Sequence, residues 1–132
     1  CDSLAIAVGS VHAMRTREAE LDQDRIRACA AAVSVPLVLH GSSGVKEDSI
    51  QQAIENGICK VNVATAISMV FLQGAKEAWD KKPNEKDLRK ILLPGQQAAK
   101  ELVRSYIRLF GASGKAGAGA STIEKSEVKH AE

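Results

Sequence analysis

Aromatic side chains are scarce in this 132-residue chain, at 3%, so a core has to be built from Ala, Val, Ile and Leu. No apolar run approaches the roughly 20 residues needed to span a bilayer, and no charged start followed by an apolar core marks a signal peptide. Charge of one sign is also missing. With 18 basic and 16 acidic side chains interspersed and a net charge of +2, there is no electrostatic footprint for nucleic acid or an anionic membrane. The three cysteines, Cys1, Cys29 and Cys59, are odd in number and show no C-x-x-C spacing. That pattern excludes a disulfide framework, makes a cysteine metal site a poor expectation, and predicts reduced thiols in a cytoplasmic protein. Cys29 and Cys59, set among apolar residues, are expected to be packing residues. No internal repeat is stronger than an alternation of strands and helices.

That alternation carries the fold prediction. Residues 36–40, Pro-Leu-Val-Leu-His, read as a short buried strand, and 41–44, Gly-Ser-Ser-Gly, as the turn that follows it. A continuous apolar run bounded by glycine suits the middle of a parallel sheet. Residues 3–9 form a similar apolar run, followed by His12, and residues 58–63 form a third, closing on Asn62 and Thr65. Between them, Asp22 is placed to cap a helix to about residue 33, with Ile26, Cys29, Ala30 and Val33 on one stripe. A second helix is predicted over 46–56 and ends at Gly57, and a third runs from Thr65 to Trp79. Residues 80–94, charged and containing Pro83 and Pro94, read as a surface connection with one short helix near 85–91. A last helix is predicted over 95–110, stopping at Gly111. From 112 to 132 the composition predicts a mobile tail. The order β-α-β-α-β-α points to parallel strands with crossover helices.

The residues with chemistry all fall just after strands, where open α/β sheets and β/α barrels place their sites. His12 and His40 stand 28 positions apart, one βα repeat. Neighbouring parallel strands lie about 4.8 Å apart, and two imidazoles about 2.0–2.1 Å from one zinc ion are compatible with that spacing. Two unrelated loop histidines are the competing reading. His130, in the tail, is set aside. Gly41 and Gly44 let backbone approach a ligand, Ser42 and Ser43 bring hydroxyls, and a helix start just beyond suits an anion. A solvated βα loop that happens to hold a histidine is the competing reading of the same residues. Asn62 could simply turn the chain and Thr65 could cap its helix.

Four segments in order, Leu-Ala-Ile-Ala-Val-Gly-Ser-Val-His at 4–12, Pro-Leu-Val-Leu-His-Gly-Ser-Ser-Gly-Val at 36–45, Lys-Val-Asn-Val-Ala-Thr at 60–65 and Phe-Gly-Ala-Ser-Gly-Lys-Ala at 110–116, resemble one family. They are similar to the carboxyl-terminal part of the class II, metal-dependent ketose-bisphosphate aldolases, over roughly residues 2–116. The resemblance implies a TIM (β/α)8 barrel of which residues 1–111 hold the sixth, seventh and eighth strands with their helices. It implies aldol cleavage and condensation of a ketose 1,6-bisphosphate, of fructose or tagatose type, to dihydroxyacetone phosphate and glyceraldehyde 3-phosphate. His12 and His40 match two of the family's three zinc histidines. Gly41, Ser42 and Ser43 match the loop that holds the phosphate of dihydroxyacetone phosphate, and Asn62, Val63, Ala64 and Thr65 match the second segment around that ligand. Ala13 replaces a frequent family glycine, and Ala64 leans toward the tagatose type. The third zinc histidine and the catalytic aspartate belong to an earlier strand, so no catalytic acid is expected in this sequence. The resemblance therefore implies either a fragment of a longer, oligomeric enzyme, inactive alone, or a truncated remnant that binds phosphate or a partner without catalysis.

Overall fold

The computed structural model describes residues 1–10 and 18–116, which places His12, Ala13, His130 and most of the tail outside the described residues. Strand β1 (Leu4–Ala5) pairs in parallel with β2 (Leu37–Leu39), and β2 pairs in parallel with β3 (Ile58–Val61), giving the sheet order β1-β2-β3. Helices α1 (Gln23–Ala32) and α2 (Glu47–Glu55) are the crossovers between them. As its sequence predicts, α1 is capped by Asp22, whose carboxylate accepts from the Arg25 backbone N–H at 2.9 Å.

Register explains the core. Leu4, Leu37 and Ile58 form one row across the sheet, and Ala5, Val38 and Lys60 form the next. Side chains alternate faces along a strand, so the first row turns with Leu39 toward α1 and α2. There Leu37, Leu39 and Ile58 are buried with Ile26, Ile50, Ala53, Val8, Leu21 and Val45. Ala5 and Lys60, at the two ends of the second row, are exposed.

The strands are shorter than their apolar runs. Pairing of the first continues only through the Ile6 N–H to the Val38 carbonyl, at 3.3 Å. Gly9 then takes φ 95° and the chain leaves the sheet. In β3 the register slips by one between the Leu37 and Val38 partners, leaving Cys59 as an extra residue. This bulge lets Ile58 and Val61 both contribute to the helix-side core. It also corrects the expectation that Cys59 packs inside. Cys59 is exposed, and its thiol donates to the Gly57 carbonyl at 3.5 Å. Cys29 does pack against the core.

The second correction concerns Pro94. Helix α3 (Thr65–Lys81) is followed by one continuous helix, α4 (Leu88–Leu109), with Pro94 inside it. Asp87 caps it through a 3.0 Å bond from the Arg89 N–H. Proline removes one helical hydrogen bond and normally ends a helix. Here the next residue, Gly95, lies against α3, so the same stretch that loses a bond gains a close helix–helix contact. A Cβ on Gly95 would stand 2.3 Å from the Phe71 carbonyl oxygen, and one on Gly74 would stand 2.8 Å from the Gly95 Cα. Both positions need glycine for backbone to meet backbone. Gly95→Ala is therefore expected to force the helices apart and cost on the order of 3 kcal/mol. Urea unfolding followed by far-UV circular dichroism measures this, and a loss below about 0.5 kcal/mol, the usual size of a neutral surface change, would contradict the packing account. At the other end α4 stops at Gly111 as expected, with the Gly111 and Ala112 N–H groups bonding the Arg108 and Ile107 carbonyls at 3.0 and 2.9 Å. No helix of the described residues is long and apolar enough to cross a membrane.

Candidate active site

The carboxyl ends of β2 and β3 open into one cleft of about 430 Å³, lined by His40, Gly41, Ser42, Ser43, Val61, Asn62, Val63, Ala64 and Thr65. The structure thus brings together every sequence-predicted site residue among the described ones. His12 lies outside them. Val61 is the lining residue that sequence reasoning missed; it is the last apolar residue of its strand and carries no polar signal.

Local backbone explains how the two strand ends share the cleft. Gly41 adopts a left-handed φ of 68°, which turns the chain straight out of β2 into a short 3-10 turn, Ser42–Gly44. A side chain disfavours that conformation, so glycine is the residue for the corner. Across the gap, the Asn62 N–H donates to the Leu39 carbonyl at 2.9 Å, and the Ser42 hydroxyl donates to the Asn62 carbonyl at 3.1 Å. Ser42 is buried. Its hydroxyl proton joins the two loops, and half-buried Ser43 stands beside it in the cleft lining.

His40 is exposed at the end of β2. The Asn62 side-chain nitrogen lies 3.0 Å from its Nε2 and 3.4 Å from its Nδ1. The amide lies against the ring edge, and which ring nitrogen takes part as donor or acceptor depends on the tautomer. Imidazole nitrogens are common metal ligands. The donor chemistry of His40 fits a zinc ion. Among the described residues, however, no group of three or more His, Cys, Asp or Glu is placed to hold one. Thr65 opens α3, and the residue before it, Ala64, makes no side-chain cap. The start of a 17-residue helix thus faces the cleft without a side-chain acceptor of its own.

At the start of α2, Lys46 pairs with Glu20 at 2.5 Å on the surface. The hydrogen bond from Lys46, and then its charge, hold the Glu20 carboxyl below its ordinary range, while the same contact raises Lys46. The pair's contribution is present above the ordinary glutamate pKa and fades as pH falls through the lowered one. Both groups are exposed, so the effect is small.

Residues 1–115 match the pattern of the family described as fructose-bisphosphate aldolase class-II. Among solved structures, the YdjI aldolase from Escherichia coli K12 is 37% identical with a TM-score of 0.68, over 88% of this chain and 41% of that one. A Coccidioides immitis protein assigned to the fructose-1,6-bisphosphate aldolases is 27% identical with a TM-score of 0.72, over 87% of this chain and 40% of that one. A fructose-bisphosphate aldolase from Campylobacter jejuni, 19% identical, shares the fold with a TM-score of 0.64, over 83% of this chain and 39% of that one. The chain belongs to the class II fructose-bisphosphate aldolase family. It spans about two fifths of the length of the solved structures it matches, in their carboxyl-terminal part.

Proposed function

We propose that this chain is the last three βα units of a TIM-barrel aldolase. As part of the complete, oligomeric enzyme it serves the reversible cleavage of a ketose 1,6-bisphosphate to dihydroxyacetone phosphate and glyceraldehyde 3-phosphate. The observation that carries the proposal is the single cleft formed by residues 40–43 and 61–65 at neighbouring strand ends.

Each part of the cleft has a task. Gly41 and Ser43 receive the phosphate from one side, with the backbone of Ser42. Val63, Ala64 and Thr65 receive it from the other, where the α3 N-terminus favours an anion. Asn62 positions the hydroxyl-bearing end of the triose. His12 and His40 supply two ligands to one zinc ion, and the remaining ligand and the proton-transferring carboxylate come from the rest of the barrel. When bound, that ion supplies Lewis-acid polarisation of the substrate ketone. The protein residues named here bind and orient; none of them is assigned to move the proton.

Ser43→Ala tests the phosphate side. Losing one hydrogen bond to a charged group costs about 1.5–3 kcal/mol, so kcat/KM in the assembled enzyme is expected to fall about tenfold to a hundredfold. Zinc stoichiometry is expected to stay intact. A variant that lost zinc while keeping its affinity for dihydroxyacetone phosphate would overturn the assignment.

A further inference from the structure

Ser49 is a polar residue inside the apolar stripe of α2, beside Ile50 and Ala53, and it is buried. An alanine would pack there equally well. What the hydroxyl adds is an acceptor for the Leu21 backbone N–H, at 2.9 Å, in a buried bond. The Gln23 side chain closes over it, donating to the Ser49 hydroxyl and carbonyl at 3.2 and 3.0 Å. Gln23 in turn accepts from the Asn56 amide at 3.0 Å.

This contact is one of several that pin residues 18–22 to the turn after β2. The Ala19 N–H donates to the Gly44 carbonyl at 3.1 Å, and the Lys46 N–H donates to the Ala19 carbonyl at 3.0 Å. They make a parallel bridge between Ala19 and fully buried Val45. The Asp22 N–H bonds the Val8 carbonyl at 3.0 Å, so the chain that leaves β1 is closed at its base where α1 begins. A Cβ on Gly9 would lie 3.3 Å from the Glu20 carbonyl oxygen, so these two limbs run in close contact. Residues 18–22 are the chain immediately after the His12 segment, and Gly44–Lys46 are the chain immediately after the proposed phosphate turn.

We infer that Ser49 is a positioning residue of the proposed site. It holds Leu21, and through it residues 18–22, in register with the Gly41–Gly44 turn, so that a phosphate ester bound at the turn also orders the limb that follows His12. The inference rests on the reading of residues 41–43 as a phosphate loop, and its test separates the two. Hydrogen–deuterium exchange of the assembled enzyme is followed by mass spectrometry with and without saturating dihydroxyacetone phosphate. Slowed exchange is expected in peptides covering 41–46 and, at the same ligand concentration, in those covering 18–22. In Ser49→Ala the protection of 41–46 is expected to remain while that of 18–22 is lost, and Ser49→Thr, which keeps the hydroxyl, is expected to restore it. A residue that mattered only for stability would weaken both segments with or without ligand. If 41–46 is protected but 18–22 is not, or if Ser49→Ala keeps both responses, the positioning role is overturned and the phosphate reading stands. If neither segment responds in the wild-type enzyme, the phosphate reading fails and takes this inference with it. Should Ser49→Ala prevent folding, Gln23→Ala decides in its place. It removes only the outer contact and is expected to halve, at least, the response of 18–22; an unchanged response overturns the inference.

Discussion

Replacing His40 with alanine in the assembled enzyme is expected to remove zinc and abolish aldol cleavage. The effect should exceed that of any other single change at the cleft. Loss of a group that merely supports a ligand already costs about 10–100-fold in metal affinity, so loss of a ligand should cost more than about a hundredfold. The imidazole stands at the open end of β2, with a ring nitrogen 3.0 Å from the Asn62 amide. His12→Ala is expected to give the same loss, because a catalytic zinc site holds the ion with three protein ligands and keeps a position open for substrate. The double variant should be hardly worse than either single one, since residues that act as a unit are not additive. Zinc content after dialysis, by atomic absorption, reads the outcome directly. Full zinc retention in both single variants would sink the shared-site assignment.

The second large effect concerns the chain by itself. Purified residues 1–132 with zinc supplied are expected to show no measurable retro-aldol turnover and to associate. Turnover is expected on mixing with a polypeptide carrying the first five βα units. The three strands present two sheet edges, β1 and β3, each with unpaired backbone groups on its outer side among the described residues. Such edges invite pairing with another chain. Ala5 and Lys60 flank Val38 on the face turned away from α1 and α2, where a closed barrel has its interior. Met69, Leu72, Trp79 and Leu93 on α3 and α4 are exposed as well, an apolar surface of the kind that promotes association. The proposed chemistry also needs a carboxylate to move a proton. Of the acidic groups in 18–24 and 47–55, none lines the cleft. Robust turnover from a demonstrably monomeric sample would contradict both the shared-barrel reading and the division of labour within it. Activity on mixing also separates this reading from that of a remnant that binds phosphate without catalysis.

Much of this was legible in the sequence wherever one local signal decided the outcome. Asp22 marks a helix start through its carboxylate and Gly111 a helix end through its backbone, and the His-Gly-Ser-Ser-Gly stretch reads as a strand end because apolar run, glycine corner and hydroxyls are contiguous. The features that escaped depend on residues far apart in the chain. Pro94 looked like a helix stop because nothing near it announces that Gly95 meets Gly74 and Phe71. Cys59 looked buried because a bulge, which shifts one strand by one residue against its neighbour, leaves no mark on the apolar pattern. Ser42 offers a hydroxyl to the turn, but nothing local announces its bond to the Asn62 carbonyl just past the next strand. Ser49 was the subtlest case. Its one visible sign is a polar residue on the buried stripe of α2, and its partner Leu21 is 28 positions away.

The most direct test of the whole account is a crystal structure of the assembled enzyme with zinc and dihydroxyacetone phosphate, with the metal located by anomalous scattering at its absorption edge. One zinc ion is expected about 2.0–2.1 Å from a ring nitrogen of both His12 and His40. The ligand's phosphate is expected between Gly41–Ser43 and Val63–Thr65. A zinc ion touching only one of the two histidines, or a phosphate held elsewhere with this cleft empty, would contradict it.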